Sequence, residues 1–243
     1  MGISTNKFFY LTFEFISISP KSNLFFGMKH SLFFFFLLLL IGQASAKALG
    51  SEPKDTLVVI GTRLGEITVV LFPETPLHRS NFLRLAGSKA YDSTTFHRII
   101  KDFMIQGGDP NSKDNIPEND GMGSYGNTIP AEFNPAFTHM QGALAAARTN
   151  NPEKRSSDCQ FYLVENPAGT HFLNNEYTVY GQVVKGIEVV QAIALEQKGP
   201  DDRPLSNVRM WMKLLPLKKE KVATTYGYDY LTHKVKPELI KDK

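Results

Sequence analysis

The amino-acid sequence predicts a mainly β domain, a closed antiparallel eight-stranded β-barrel capped by two α-helices. Eight short segments are rich in β-branched and aromatic residues and are separated by turn-forming residues, as strands are. Only two stretches have the length and the apolar spacing of helices, and they do not alternate with the strands. A doubly wound parallel sheet is therefore not expected. A sheet closed into a barrel is favoured because closure leaves few strand edges unpaired.

The first two predicted strands, 56–60 and 66–72, flank a glycine-bounded turn and predict a hairpin. A helix is expected next, because Pro76 suits a first helical turn and Gly87 suits a helix end. The second helix is predicted at 187–195. The remaining predicted strands are 95–100, 103–106, 143–147, 160–164, 178–184 and 208–215.

Residues 1–46 are predicted to be a secretory signal peptide. Met28 and Lys29 provide a basic start, the run 32–41 is apolar, and small residues precede an expected cleavage after Ala46. As a helix the apolar run would extend about 15 Å, roughly half of a bilayer's hydrocarbon core. No stable membrane span is therefore expected, and the alternatives are an uncleaved anchor or a buried core helix. The predicted location is the secretory pathway: the lumen of the endoplasmic reticulum, another endomembrane compartment or the cell exterior.

The organisation of the chain follows from this leader. Glu14 and Pro20 interrupt the apolar residues before Met28, so either the leader is extended or synthesis begins at Met28. After the leader we expect a short linker (47–54), one domain (55–216) and a charged, disordered C-terminal tail (217–243).

Charge and cysteine content exclude several classes of protein. The formal net charge is +3, of which the leader contributes +2. The mature chain therefore lacks the excess of basic residues that binding to nucleic acid requires. Cys159 is the only cysteine, which excludes an intrachain disulfide. A small buried side chain is the favoured interpretation of Cys159, because no nearby histidine would activate it as a nucleophile.

Metal and dinucleotide sites are not predicted either. The six histidines lack the spacing of zinc ligands. Residues 109–114 begin like a calcium loop but place Lys113 at a ligand position, so a polar turn is expected. The GxGxxG pattern at 121–126 follows no strand and opens no helix. It falls within a long loop, 107–134, of the kind that carries function in compact domains. We expect no metal and no cofactor.

The most informative stretch is 96–110. It places Arg98 on a strand, with Phe96 and Ile100 predicted on the same face. Phe103, Met104 and Gln106 follow, combining apolar and amide groups as the wall of a small binding pocket does. The alternative is that Arg98 is an ordinary exposed arginine on the barrel surface.

The letters of this stretch, FHRIIKDFMIQGGDP, resemble the signature of the cyclophilin family of peptidyl-prolyl cis/trans isomerases. The similarity runs from about Leu57 to Leu215. It includes four further segments in the family's order: 142–148, 160–162, 172–174 and 179–183.

The resemblance implies a role for each matching residue. Arg98 matches the catalytic arginine and Gln106 an orienting amide. Ala147 and Arg148 match the backbone that clamps the peptide, and Gln160 lies near the rim. The wall of the proline pocket is matched by Phe103, Met104, Tyr162 and Leu173.

The sequence also departs from the family pattern. Tyr162 stands where phenylalanine is usual, and Tyr177, a further substrate-binding residue, stands where histidine is common. Asp158 follows Ser157 where a glycine-serine pair is expected, which would strain the backbone. Phe172 occupies a position that is tryptophan in many members. Weak cyclosporin binding is expected there, because the indole N–H donor is missing.

The implied function is rotation of X-Pro imide bonds in polypeptides, assisting protein folding in the secretory pathway. The reaction makes and breaks no covalent bond, so neither a metal nor a cofactor is needed. Proline-containing polypeptides are the expected partners of a monomer. The alternative is a catalytically weak proline-peptide binding module or chaperone on the same fold.

Overall fold

The structure, a computed structural model, describes residues 53–236. The predicted signal peptide and residues 237–243 lie outside the described residues, so neither prediction about them is tested by the fold.

The main sheet has eight strands and is accompanied by three helices and two small strand pairs. In chain order the main strands are β1 (Lys54–Thr62), β2 (Gly65–Leu71), β3 (Phe96–Ile100), β4 (Met104–Gly107), β6 (Ala143–Ala146), β8 (Phe161–Val164), β9 (Val179–Lys185) and β10 (Met210–Lys218). The small pairs are β5 (Thr128–Ile129) with β7 (Ser156–Ser157), and β11 (Tyr228–Asp229) with β12 (Lys234–Val235). The helices are α1 (Pro76–Gly87), α2 (Ile187–Ala194) and α3 (Lys219–Tyr226).

The sheet is curled and open, so the prediction of a closed barrel is wrong. Its strands run in the order β10-β1-β2-β9-β6-β8-β4-β3, and every neighbouring pair is antiparallel. The two outer strands meet only where the chain enters them. Thr95 and Arg209 form an isolated bridge, and the Phe96 N–H donates to the Val208 carbonyl at 3.0 Å. No ladder continues along β3 and β10, and the strand that pairs with β10 along its length is β1.

Two apolar clusters occupy opposite faces of the sheet. Neighbouring residues of β2 point to opposite faces: Ile67 and Val69 belong to the first cluster and Val70 belongs to the second. The first cluster is covered by α1 and α2, which contribute Phe82 and Val190. Both helices begin where the sequence predicts them, since the apolar spacing that indicated them is what this cluster buries.

A β-bulge sets the direction of the Arg98 side chain. The register between β3 and β4 shifts between Phe96 and Arg98, leaving His97 as the extra residue. Phe96 therefore packs in the first cluster, whereas Ile100 packs against the second. The prediction that Phe96 and Ile100 share the face of Arg98 is wrong for Phe96, because strict alternation does not continue through a bulge.

The C-terminal segment 217–236 is ordered, which corrects the prediction of a disordered tail over these residues. β10 continues to Lys218, α3 follows, and Gly227 ends this helix with a left-handed φ of 65°. Val222 and Tyr228 are buried in the second cluster. The lysines of this segment suggested a solvated tail, but the apolar and aromatic residues between them are enough to attach it to the domain.

No helix within residues 53–236 combines the length and the apolar character needed to cross a membrane. Cys159 is a free, buried thiol. Its place in the first apolar cluster confirms the prediction of a packing role. Burial also raises the pKa of the thiol to about 12, which disfavours the nucleophilic thiolate.

Candidate active site

Strand register assembles the centre of the site. Arg98 on β3 lies opposite Gln106 on β4, which lies opposite Tyr162 on β8, which lies opposite Ala145 on β6. Residues in such a row point to the same face of a sheet. The row therefore brings a guanidinium, an amide and an aromatic ring together on the second-cluster face.

Phe103 joins this row from outside the strands. It lies in the turn between β3 and β4, where its N–H donates to the Ile100 carbonyl at 3.1 Å. Met104 is the first residue of β4. Because Phe103 is not in the strand, alternation does not separate the two side chains, and both can contact the same cavity.

That cavity has a volume of about 140 Å³. Its wall combines apolar and aromatic side chains with the polar groups of two arginines and a glutamine. The lining residues are Arg98, Phe103, Met104, Gln106, Ala147, Arg148, Tyr162, Leu173 and Tyr177. The structure thus places nine of the predicted site residues around one cavity, with Gln160 and Phe172 outside its lining.

Arg98 lies at the mouth of the cavity. Its side chain is 43% exposed, and its Nε lies 3.8 Å from Oδ2 of Asp202. The Asp202 carboxylate is held more closely by Lys198, at 2.6 Å. The guanidinium therefore keeps free N–H donors beside an apolar cavity, since one carboxylate at this distance engages only part of its fork.

Gln160 supports Gln106 from behind. The Gln106 Nε2 donates to Gln160 Oε1 at 3.0 Å, and the Gln160 Nε2 donates to the carbonyls of Gly121 and Gly123 at 2.9 and 3.0 Å. Gln160 was expected near the rim. Instead it is buried and links Gln106 to the loop after β4, which leaves the Gln106 carbonyl oxygen as the group able to face a ligand.

The Tyr162 hydroxyl continues into a buried hydrogen-bond chain. It contacts His139 Nε2 at 2.9 Å, and His139 Nδ1 contacts Asn174 Oδ1 at 3.0 Å. Asn174 Oδ1 can only accept, so Nδ1 carries the proton and Nε2 accepts from the tyrosine hydroxyl. Burial lowers the pKa of His139 and raises the pKa of Tyr162, so both are neutral near pH 7.

Arg148 and Tyr177 form a further part of the wall of the proline cavity. The Arg148 guanidinium lies 4.7 Å from the centre of the Tyr177 ring, and this ring meets Tyr162 edge to face at 5.9 Å. The Arg148 Nε also donates to the Glu176 carbonyl at 3.0 Å. These contacts fix the orientation of the Tyr177 ring, which stands where the family commonly has histidine.

The backbone of Ala147 is already engaged within the protein. Its N–H donates to the Gln160 carbonyl at 3.0 Å, and its carbonyl accepts from the Ser157 N–H at 2.7 Å. The expected role of the Ala147 and Arg148 backbone in clamping a peptide stays a prediction, because both backbone groups of Ala147 already have a partner within the domain. A carbonyl has a second lone pair, so one further hydrogen bond can still form there.

Phe172 is 72% exposed and stacks on Phe103, with ring centres 5.9 Å apart and planes 15° apart. It extends the apolar surface at the mouth of the cavity without lining it.

Several supporting residues were missed by sequence reasoning. The buried Asp158 organises the adjacent loop: its carboxylate accepts from the N–H groups of Tyr125 and Asn127 at 3.2 and 3.0 Å. Its φ is not positive, so the strain expected from replacing glycine is absent. His139 was also missed, because its partners lie 23 and 35 residues away and no local pattern indicates them.

Comparison with known proteins places these residues in a family. A family model described as cyclophilin type peptidyl-prolyl cis-trans isomerase/CLD matches residues 57–212. The chain is similar to the peptidyl-prolyl cis-trans isomerase CYP18-1 of Arabidopsis thaliana, with 36% identity over 154 residues that cover 63% of this chain and 91% of the relative. It is also similar to peptidyl-prolyl cis-trans isomerase-like 1 of Neurospora crassa, at 34% identity over 63% of this chain and 90% of the relative.

Among solved structures, the chain resembles a cyclophilin type peptidyl-prolyl cis-trans isomerase of Cryptosporidium parvum. The TM-score is 0.58 at 27% identity, covering 67% of this chain and 98% of that one. A second structure of that protein, determined in the presence of the dipeptide Ala-Pro, gives a TM-score of 0.57 at 28% identity, covering 65% and 98%.

Proposed function

The chain belongs to the cyclophilin family of peptidyl-prolyl cis-trans isomerases, and we propose that it holds a client proline in the 140 Å³ cavity while Arg98 promotes rotation of the imide bond. The observation that carries this proposal is the position of the Arg98 guanidinium, with free N–H donors, at the mouth of a cavity that has apolar side chains in its wall. Phe103, Met104 and Leu173 supply apolar surface suited to a pyrrolidine ring.

The chemistry requires only that the twisted imide be favoured over the planar one. Rotation is opposed by amide resonance, with a barrier of about 18–20 kcal/mol. In the twisted state the proline nitrogen regains its lone pair and becomes a hydrogen-bond acceptor. A guanidinium N–H aimed at this nitrogen stabilises the twisted state more than the planar one, which is the condition for catalysis.

The other polar groups of the site orient the peptide. Gln106 is held by Gln160, so its carbonyl oxygen is positioned to accept from a backbone N–H of the client. Uncatalysed rotation takes tens to hundreds of seconds. Turnover in milliseconds requires a factor of about 10⁵, or roughly 7 kcal/mol, which a preorganised donor and a fixed ring can supply together.

The proposed role of Arg98 can be tested by measuring the isomerase activity of Arg98→Ala in a protease-coupled assay on proline peptides. The expected result is a loss of at least about tenfold in kcat/KM with the fold intact, because one preorganised donor is removed. Arg63→Ala is the matched control: its side chain is 40% exposed and paired with Glu196, as Arg98 is 43% exposed and close to Asp202. Turnover near that of the wild type in Arg98→Ala contradicts the mechanism. A wild-type chain that binds proline peptides without turnover supports the chaperone alternative.

We further propose that the clients are polypeptides in the secretory pathway. The support is the sequence pattern of residues 28–46, a basic start, an apolar run and small residues before a cleavage position. Expression of the full chain in eukaryotic cells, followed by mass spectrometry of the mature N-terminus, is expected to give Lys47 as the first residue. Ala46→Arg, which removes the small residue at the cleavage position, is expected to block processing. Recovery of an unprocessed chain from the cytosol contradicts this proposal.

A further inference from the structure

A second, larger cavity adjoins the proline cavity. Its volume is about 920 Å³, and it lies between the segments 117–122 and 199–205. Arg98 and Gln106 line both cavities, so these two side chains form a shared wall. A peptide held by its proline in the first cavity therefore passes directly beside the second.

Acidic side chains at the rim of the larger cavity outnumber basic ones by one: the acidic residues are Glu118, Asp120, Asp201 and Asp202, and the basic ones are Arg98, Arg203 and Lys198. Asp120 is paired with Arg203 at 2.7 Å, and Asp202 is held by Lys198. Glu118 and Asp201 also line the cavity, and neither has an ion-pair or hydrogen-bond partner within residues 53–236. Two carboxylates are thus available to a ligand.

The floor of this cavity contains polar groups that the domain itself does not satisfy. His97 is only 6% exposed, yet neither of its ring nitrogens has a hydrogen-bond partner in the described part of the chain. The same is true of the buried Oδ1 atom of Asp120, whose side chain is 5% exposed. Burial lowers the pKa of His97, so the ring is neutral near pH 7 and one nitrogen can accept a hydrogen bond. Unsatisfied buried acceptors are rare and favour a ligand that brings donors.

Apolar side chains complete the wall. Met122 and Leu205 are 76% and 68% exposed, and three prolines stand beside them: Pro117, Pro200 and Pro204. A ligand that fits this cavity has an apolar stem and a cationic, donor-bearing head. Lysine and arginine side chains have this form.

We propose that the larger cavity is a second substrate subsite, which takes the lysine or arginine side chain of a client residue near the isomerised proline. The proposal rests on the proposed function, because the shared Arg98 and Gln106 wall links the two cavities. Because the two cavities share this wall and an extended peptide spans at most about 3.6 Å per residue, we expect the basic residue within one or two positions of the proline.

The test is a peptide series with lysine, norleucine or glutamate at each of the two positions before and after proline. Norleucine keeps the apolar stem and removes the charge. We expect kcat/KM to be about threefold or more higher for lysine than for norleucine at one position at least, and lowest for glutamate. The preference is expected to shrink in high salt, because the rim carboxylates are exposed.

The double variant Glu118→Gln, Asp201→Asn is expected to bring the lysine-to-norleucine ratio close to one. Glu188→Gln, at an exposed residue of α2, is the control and is expected to keep the ratio. A ratio of one at all positions in the wild type, or an unchanged ratio in the double variant, overturns the subsite.

The two proposals fail differently. If the subsite is wrong, norleucine peptides are still isomerised but lysine gives no preference. If the isomerase activity itself is absent, norleucine peptides are not isomerised. The subsite is then tested by the ratio of calorimetric Kd values for the lysine and norleucine peptides.

Discussion

The Tyr162 hydroxyl shows how one atom can couple the substrate cavity to the interior of the domain. Its ring lines the cavity, while its oxygen donates to His139 Nε2 in a buried position. A phenylalanine, usual at this position in the family, could line the cavity equally well. The tyrosine hydroxyl is thus not needed as surface for proline, but it satisfies a histidine that has no other donor for Nε2 within residues 53–236.

We predict that Tyr162→Phe lowers the free energy of unfolding by about 1–3 kcal/mol, because it leaves the buried Nε2 without a donor. Urea titration measures this. Tyr177→Phe is the control, since the Tyr177 hydroxyl makes no hydrogen bond within residues 53–236. Equal urea midpoints for the two variants would show that the hydroxyl of Tyr162 is not stabilising.

For individual residues, the sequence motif predicted which side chains line the proline cavity. It did not predict the hydrogen bonds that hold those side chains in place. Arg98, Phe103 and Gln106 are close in sequence and lie on one turn and its two strands, so a single motif indicates them. Gln160 and His139 reach the site from other elements, and their hydrogen bonds depend on the folded geometry. The bulge at His97 was not predictable from alternation, because it changes the alternation itself.

Among the elements, the C-terminal helix and strand pair show where composition misleads. Segment 217–236 has many lysines, and its average composition resembles that of a solvated tail. Average composition does not record where the apolar residues fall. Val222 lies on the side of α3 that faces the second cluster and is fully buried, while Thr224 on the same helix is exposed.

We predict that Val222→Asp detaches α3 from the domain, because it would bury an unpaired carboxylate. The expected signs are faster tryptic cleavage after Lys219 and Lys221 and a lower urea midpoint. Thr224→Asp places the same charge on the exposed side of the same helix, and we expect its free energy of unfolding to stay within about 0.5 kcal/mol of the wild type. If both variants are cleaved equally fast, α3 is not held by this contact.

Sheet closure illustrates the same limit for strands. The eight predicted strands correspond to the eight strands of the sheet, because hydrophobic and β-branched residues mark them locally. Closure of the sheet into a barrel depends instead on whether β3 and β10 pair with each other beyond the bridge between Thr95 and Arg209. These two residues are more than a hundred positions apart in the sequence. They form one isolated bridge, and nothing in either segment alone indicates that pairing stops there.

Across the whole molecule, buried histidines couple stability to pH. His78 on α1, His97 on β3 and His139 in the segment before β6 are all buried. Burial lowers the pKa of each; for His78 it outweighs the opposite effect of Glu132, whose carboxylate lies 2.6 Å from Nδ1. The folded state therefore keeps these rings neutral at pH values where the unfolded chain protonates them.

We predict that the domain loses stability as pH falls from 7.5 to 5.5. In the unfolded chain a histidine has a pKa of about 6.5, so below this pH the unfolded state binds more protons than the folded state, and the free energy of unfolding decreases. The stabilisation is fully present above pH 6.5 and is lost as pH falls through the lowered pKa values of the folded state. Urea titrations at several pH values measure the slope.

The contribution of one ring can be isolated with His97→Gln, which removes a single titrating group from the floor of the larger cavity. The slope of unfolding free energy against pH is expected to fall by at most about 1.4 kcal/mol per pH unit, the limit for one proton. Gln197→Ala, at an exposed residue that carries no titrating group, is the control and is expected to keep the wild-type slope. The carboxylates with lowered pKa, those of Asp114, Glu176 and Asp229, titrate below this window and do not contribute. A slope of zero between pH 7.5 and 5.5 in the wild type would mean that the buried rings take up protons as readily as free histidine, in contradiction to their burial.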